Sequence, residues 1–100
     1  MTDKELLELA AKAAGIDVEW FEEPYGSCFV LGDKKWNPLT DDGDALRLAV
    51  KLGLLFKHMI DRYELFMRFY YEELDNDLRP SEATRRAIVR AAAEIGKEQA

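Results

Sequence analysis

The most regular pattern of apolar and polar positions spans residues 36 to 54, which read WNPLTDDGDALRLAVKLGL. Its Asn-Pro pair predicts a turn. The Thr-Asp-Asp run after it predicts the start of a helix, because short oxygen-bearing side chains bind the free amides of a first turn. Between residues 45 and 52 only Arg47 and Lys51 are polar, so we expect a helix that other elements cover on most sides. The glycine that follows predicts the left-handed residue at its end. We expect the rest of the chain to pack around this central helix.

Two further helices are predicted at the ends of the chain. Thr2 and Glu5 have the spacing of a capping box, which predicts a helix over residues 2–14. Residues 83–95 carry a stripe of mostly small side chains at helical spacing, ended by Gly96. Because small side chains allow close approach, we expect this last helix to lie flat on another layer.

Residues 17–31 show the pattern of a β-hairpin. Apolar and other side chains alternate over residues 17–21, and residues 28–31 form a short β-type run. The Pro-Tyr-Gly-Ser sequence between them favours a turn. The sequence therefore predicts two antiparallel strands here.

The apolar pattern of residues 54–74 fits both the period of a helix and the period of a strand. Apolar side chains recur at helical spacing throughout the segment, with no proline or glycine after residue 53 to interrupt them. From residue 63 to 71, apolar positions also alternate as in a strand, and the density of aromatic side chains favours a strand. The Glu, Leu, Met and Arg content favours a helix. The pattern alone leans slightly towards the helix.

Composition indicates one domain, residues 1–100. A chain of 100 residues with 48% hydrophobic residues can bury a core without a metal or a disulfide. No apolar run approaches the roughly 18 residues that span a bilayer. The first residues lack the basic start and apolar core of a secretory signal, and a lone Cys28 suits a reducing compartment. We therefore expect a soluble, cytoplasmic protein that binds no membrane.

The net charge of −6 lies mainly in the first part of the chain. Residues 1–45 contain eleven acidic and four basic residues, whereas residues 46–100 contain nine and ten. Nucleic-acid binding needs a basic footprint, so we expect no non-specific binding to DNA or RNA. A protein partner with a basic surface fits better. Glu19, Glu22 and Glu23 are the candidate binding residues for it.

Few residues suit catalysis or metal binding. His58 is the only histidine and Cys28 the only cysteine, and no spacing pattern joins them as base and nucleophile. Asp41, Asp42 and Asp44 lack the ligand spacing and distant glutamate of a calcium loop, so we interpret them as capping residues. No glycine-rich phosphate loop occurs. The sequence predicts no metal, no cofactor and no enzyme activity.

Arg85, Arg86 and Arg90 form a basic patch on the last helix and are a second set of candidate binding residues. Glu82 and Glu94 lie four residues from Arg86 and Arg90, so a solvated, ion-paired face is the favoured interpretation. The alternative is a cleft in which these arginines bind an anion such as a nucleotide.

The strings WNPLTDDGDALRLAVKLGL and ATRRAIVRAAAEIGK resemble a family of small phage and prophage proteins described as an α-β-α (ABA) sandwich domain. The resemblance covers nearly the whole chain and is weakest over residues 55–80. It implies a phage context and a layered fold in which residues 54–74 form a second hairpin. A strand there is apolar on both faces, as a sheet covered by helices requires. The resemblance assigns no functional residue.

The expected fold class is therefore α+β. The resemblance favours a small α-β-α sandwich with a mostly antiparallel sheet of about four strands and three helices. The alternative is a mostly α protein with a long helix over residues 54–74 and one N-terminal hairpin.

The resemblance also shapes the expected function. We expect a non-enzymatic phage accessory protein that binds a host or phage macromolecule in the cytoplasm of the infected bacterium. In its most specific form, this protein inhibits a bacterial defence system such as CRISPR. The alternatives are a small-molecule or nucleotide-sequestering domain and, last, an enzyme that uses Cys28 or His58. The sequence leaves open whether the chain forms a homodimer.

Overall fold

The computed structural model describes residues 1–24 and 26–99, with the side chain of Glu23 outside that description. Within this part the helices are α1 (Asp3–Ala14), α2 (Asp42–Leu52), α3 (Ile60–Asp75) and α4 (Pro80–Glu98). The strands are β1 (Glu19–Glu23), β2 (Gly26–Leu31) and β3 (Lys34–Trp36), which form one antiparallel sheet in the order β1-β2-β3. The α+β class is confirmed. The sequence predicted three helices and about four strands, whereas the described residues form four helices and three strands.

Helix α4 lies at the centre of the fold, because α1, α2 and α3 all pack against it. Its buried residues are mostly small: Ala83, Ala87, Ile88, Val89, Ala91, Ala92, Ala93 and Gly96. Gly96 continues the helix instead of ending it, and a side chain there would collide with the backbone carbonyl of Leu9 in α1. The predicted close approach of the last helix is therefore confirmed. The central position that the sequence predicted for α2 belongs to α4.

The first helix begins with the predicted capping box. The Glu5 amide donates to the Thr2 hydroxyl oxygen (3.2 Å), and the Thr2 hydroxyl and amide donate to Oε1 of Glu5 (3.0 and 3.3 Å). The hydrogen bond from the Thr2 hydroxyl, and to a smaller extent the one from the Thr2 amide, hold the pKa of Glu5 below its usual value because they favour the charged carboxylate. Both ends of α1 are thus capped, since Gly15 supplies the left-handed residue after it.

Helix α2 begins and ends as predicted, but one side of it is open. The Asp41 carboxylate accepts a hydrogen bond from the Asp44 amide at 2.8 Å, and Gly53 ends the helix with a φ of 70°. Leu48 is buried, whereas Leu46 is 55% exposed and Val50 is exposed as well. The prediction of cover on most sides is therefore wrong. Only the side of α2 that faces the core is covered, as in an ordinary amphipathic helix.

The predicted hairpin over residues 54–74 is wrong, because residues 60–75 form the single helix α3. Phe66, Phe69 and Glu73 are its buried residues, and their spacing of three and four places them on one helical face. This face packs on the small side chains of α4. The long-helix alternative is closer to the structure here, although α3 begins at residue 60 instead of 54.

The predicted N-terminal hairpin is confirmed, and β3 extends it to three strands. Trp20, Phe29 and Trp36 stand opposite one another, and the last two are buried. On the other face of the sheet, Phe21 is 46% exposed and Glu19 is exposed too. The described sheet is therefore an outer layer with one face open, not the middle layer of a sandwich. Three short strands leave too little apolar surface to bury helices on both faces.

Candidate functional site

A groove of about 460 Å³ lies where the start of the chain and the last turns of α3 meet the middle of α4. Its floor contains Phe69 and Leu6, and its rim carries both carboxylates and cations. Helices α1 and α3 each pack against α4, and the groove lies between them. It contains two of the arginines that the sequence predicted as binding residues, Arg86 and Arg90.

Glu73 is the buried acid of this groove, with only 5% of its surface exposed. Its Oε1 lies 2.7 Å from Nη1 of Arg90 and 3.8 Å from Nε of Arg86. A buried carboxylate requires such partners, because the loss of water costs several kcal/mol per ion unless charge and hydrogen bonds replace it. This geometry stabilises the α3–α4 contact.

The two guanidinium groups have further partners from other elements. Arg90 lies over the ring of Phe69, 4.2 Å from its centre, and 3.6 Å from Glu72. Arg86 donates to Oδ1 of Asp3 at 3.1 Å, which connects α4 to the first turn of α1. The groove therefore holds a network of alternating charges.

Arg85 lies outside this groove and has its own contacts. Its Nε donates to the Leu39 carbonyl (3.0 Å) and its Nη1 to the Asp42 carboxylate (2.7 Å). Its side chain is largely buried by these contacts with the turn before α2. Arg85 therefore fastens α4 to the start of α2.

Each of the three predicted arginines thus lies within 3.1 Å of a carboxylate oxygen. The partners expected from sequence spacing were Glu82 and Glu94 on the same helix. The ion pairs that these three arginines form in the described residues instead join α4 to other elements. The groove consequently presents paired charges, which are less suited to an incoming anion than free guanidinium groups.

The predicted acidic residues lie on β1, remote in sequence from the arginine network. Glu19 is exposed beside Phe21 on the open face of the sheet. Glu22 points to the other face, where its Oε1 lies 3.5 Å from Nε1 of Trp20. The backbone of Glu23 ends the strand, and its side chain lies outside the described residues. β1 therefore offers acidic groups on both of its faces.

The residues considered for catalysis have ordinary surroundings. Cys28 is half-buried in β2, and His58 stacks on Phe56 with 5.6 Å between ring centres. The part of the chain that the structure describes contains no group of three or more His, Cys, Asp or Glu residues arranged to hold a metal ion. Asp41, Asp42 and Asp44 take part in capping and ion pairs instead.

Sequence reasoning missed Glu73. Its position four residues after Phe69 and seven after Phe66 would have placed it on the buried face of a helix. An acid on an apolar helical face predicts a basic partner, because isolated charges are not buried. That signal was lost when the segment was interpreted as strands.

Comparison with known proteins finds no matching family model, no matching curated protein and no matching solved structure. Among residues 1–24 and 26–99, no helix is long and apolar enough to cross a membrane.

Proposed function

We propose that this protein is a non-enzymatic binding protein whose strand β1 docks on a basic surface of a protein partner. The observation that carries the proposal is the open face of the sheet, where Phe21 is exposed beside Glu19. Exposed aromatic side chains are enriched at protein interfaces, because they bury a large area with few rotatable bonds.

Charge supports a basic partner. β1 lies in the part of the chain that contains eleven acidic and four basic residues. Such an excess steers a partner of opposite charge towards the surface and speeds association. The acidic groups also disfavour a nucleic-acid partner, because phosphates would be repelled.

The phage context is part of the proposal and rests on the sequence resemblance alone. A protein that binds nucleic acid carries a basic surface, which an acidic inhibitor can cover. In its most specific form, the partner is therefore a nucleic-acid-binding component of a bacterial defence system such as CRISPR. The binding would take place in the cytoplasm of the infected bacterium.

A nucleotide-sequestering function has less support. The groove at Arg86 and Arg90 has the volume of a small-molecule site, but both guanidinium groups already contact carboxylates. A ligand anion would have to compete with Asp3, Glu72 and Glu73 for them.

The test compares a charge-reversed protein with a matched control. The test variant carries Glu19→Lys, Glu22→Lys and Glu23→Lys. The control carries the same change at three exposed acids elsewhere, Glu64, Asp75 and Glu82. Both change the net charge equally, and far-UV circular dichroism confirms that both fold. Immobilised proteins are then used to capture partners from a lysate of the host bacterium.

We expect the parent and the control to capture the same basic protein, and the test variant to lose it. Association of the purified pair should slow with added salt for the parent and depend less on salt for the test variant. Unaltered capture by a folded test variant would contradict the proposed surface. Stabilisation of the parent by nucleotides in a thermal-shift assay would instead support the sequestering alternative.

A further inference from the structure

Exposed apolar side chains are concentrated in one stretch of the chain. The described residues include ten large hydrophobic side chains that are exposed, and six of them lie between residues 46 and 60. They are Leu46, Val50, Leu55, Phe56, Met59 and Ile60, and we call them the α2 surface. A concentration of this kind is typical of an interaction site, whereas single exposed apolar residues are common on any protein.

The α2 surface contains a groove. Leu46 and Val50 lie one turn apart on the open side of α2. Leu46 and Leu55 line a groove of about 300 Å³ whose floor includes Ile88 of α4. Met59 packs against Gly53 at the end of α2, where it leaves no room for a side chain. The surface therefore has a depression that can receive an inserted side chain.

The charges around the α2 surface are mostly positive, although the exposed acid Asp42 lies at the edge of the groove. Residues 46–60 contain Arg47, Lys51, Lys57 and His58 and no acidic residue. The side chain of Arg47 is 74% exposed, and the two lysines are exposed too. This is unusual in a chain with a net charge of −6. A partner that fits here needs apolar side chains with acidic ones beside them.

We propose that the α2 surface binds an amphipathic segment of another protein, with apolar anchor residues flanked by Asp or Glu. Such a segment places its anchors in the Leu46–Leu55 groove and its carboxylates near Lys51 and Lys57, as helices bind in apolar grooves elsewhere. Arg47 contributes less, because its guanidinium already contacts Asp44 at 2.6 Å. This site is independent of β1, so one can fail without the other.

Two other occupants fit less well. A symmetric contact between two copies would bring each basic border against itself, because a two-fold interface uses the same patch on both subunits. Like charges at such a contact oppose association. An anionic membrane would satisfy the basic side chains, but its phosphates would also face the exposed carboxylate of Asp42 at the groove.

The probe is a labelled helical peptide with leucines on one face and glutamates along one border of that face. A twin peptide has lysines in place of the glutamates. We expect the protein to bind the acidic peptide at least about tenfold more tightly than its twin. Combining Lys51→Glu with Lys57→Glu should reverse this preference. Equal binding of the two peptides by the parent protein would overturn the proposal.

Removal of the apolar anchors provides the second arm. Leu46→Gln combined with Val50→Gln should weaken peptide binding by about tenfold or more, because it removes the apolar contact while the exposed positions leave the fold intact. Leu31→Gln with Tyr71→Gln, at exposed sites elsewhere, is the matched control and should bind as the parent does. The β1 charge-reversed variant should also keep its affinity for the peptide.

Two results would show that the α2 surface binds a membrane or a second copy of the chain, and either one would overturn the proposal. One is binding to phosphatidylglycerol vesicles without binding to either peptide. The other is a dimer, seen by analytical ultracentrifugation, that dissociates when Leu46 and Val50 are replaced by Gln. Loss of peptide binding in the control variant would equally contradict the assignment to this surface.

Discussion

Arg90 and Glu73 form an ion pair across the contact between α4 and α3, with 2.7 Å between Nη1 and Oε1. The carboxylate is buried and the guanidinium is only partly exposed. The next cation to Glu73 is Arg86, at 3.8 Å. The pair therefore sets the relative position of the two helices, because moving either one would leave a buried charge without its partner.

Arg90→Met should destabilise the protein by about 3 kcal/mol, since it leaves the Glu73 carboxylate buried with Arg86 as its remaining cation. Denaturant unfolding measures the change. Lys97→Met on the same helix removes an exposed pair with Glu94 and should cost no more than about 1 kcal/mol. Adding Glu73→Met to Arg90→Met should recover part of the lost stability. A double variant less stable than the single one would contradict the buried-charge explanation.

Leu48→Ala should lower the free energy of unfolding by about 2 to 5 kcal/mol, because Leu48 is 1% exposed in the core. Leu46→Ala, on the open side of the same helix, should change it by only about 0.5 kcal/mol. The two variants remove the same atoms from one helix, so they isolate the effect of burial. Similar losses at both sites in urea unfolding would mean that α2 is covered on both sides after all.

Gly96→Ala should destabilise the protein by about 1 to 3 kcal/mol, because the new methyl group meets the Leu9 carbonyl at the α1–α4 contact. Helix propensity alone predicts the opposite sign, a gain of about 1 kcal/mol. Gly43→Ala is the control, since the atoms nearest to a methyl group there are the side-chain ends of Asp41 and Arg47 and not backbone. Thermal unfolding should show a clear loss for Gly96→Ala and a smaller change for the control. A stabilised Gly96→Ala variant would rule out this close contact.

The capping box should make stability depend on pH through Glu5. Its pKa is lower in the folded protein than in the unfolded chain, so the unfolded chain takes up the proton first as the pH falls. The contribution is therefore complete above the usual glutamate pKa of about 4.3 and is lost as the pH falls through the folded value. We expect the stability difference between the parent and Thr2→Val to shrink on acidification below that range. NMR titration should give a lowered Glu5 pKa that Thr2→Val restores, and an unchanged Glu5 pKa in the variant would contradict this account.

Local signals in the sequence determined the start of α1 and both ends of α2. The capping box at Thr2, the Asp41 cap and the left-handed Gly53 lie where the sequence predicted them. Each depends on atoms within one turn of the chain, so distant contacts have little influence on it. The first hairpin was predictable for the same reason, since its strands are adjacent in sequence.

The tertiary structure decided what the local pattern left open. The alternation from residue 63 to 71 fits a strand, but Phe66, Phe69 and Glu73 are buried together only on a helix that lies on α4. Leu46 was predicted to be covered because its neighbours are apolar, yet cover depends on where other helices lie. The partner of Arg86 in α1 is 83 residues away in sequence. The capped ends of α1 and α2 depend on neighbouring atoms, whereas the cover of a helix face and the ion pairs between helices depend on how distant segments meet. A local pattern in one sequence does not record those distant contacts.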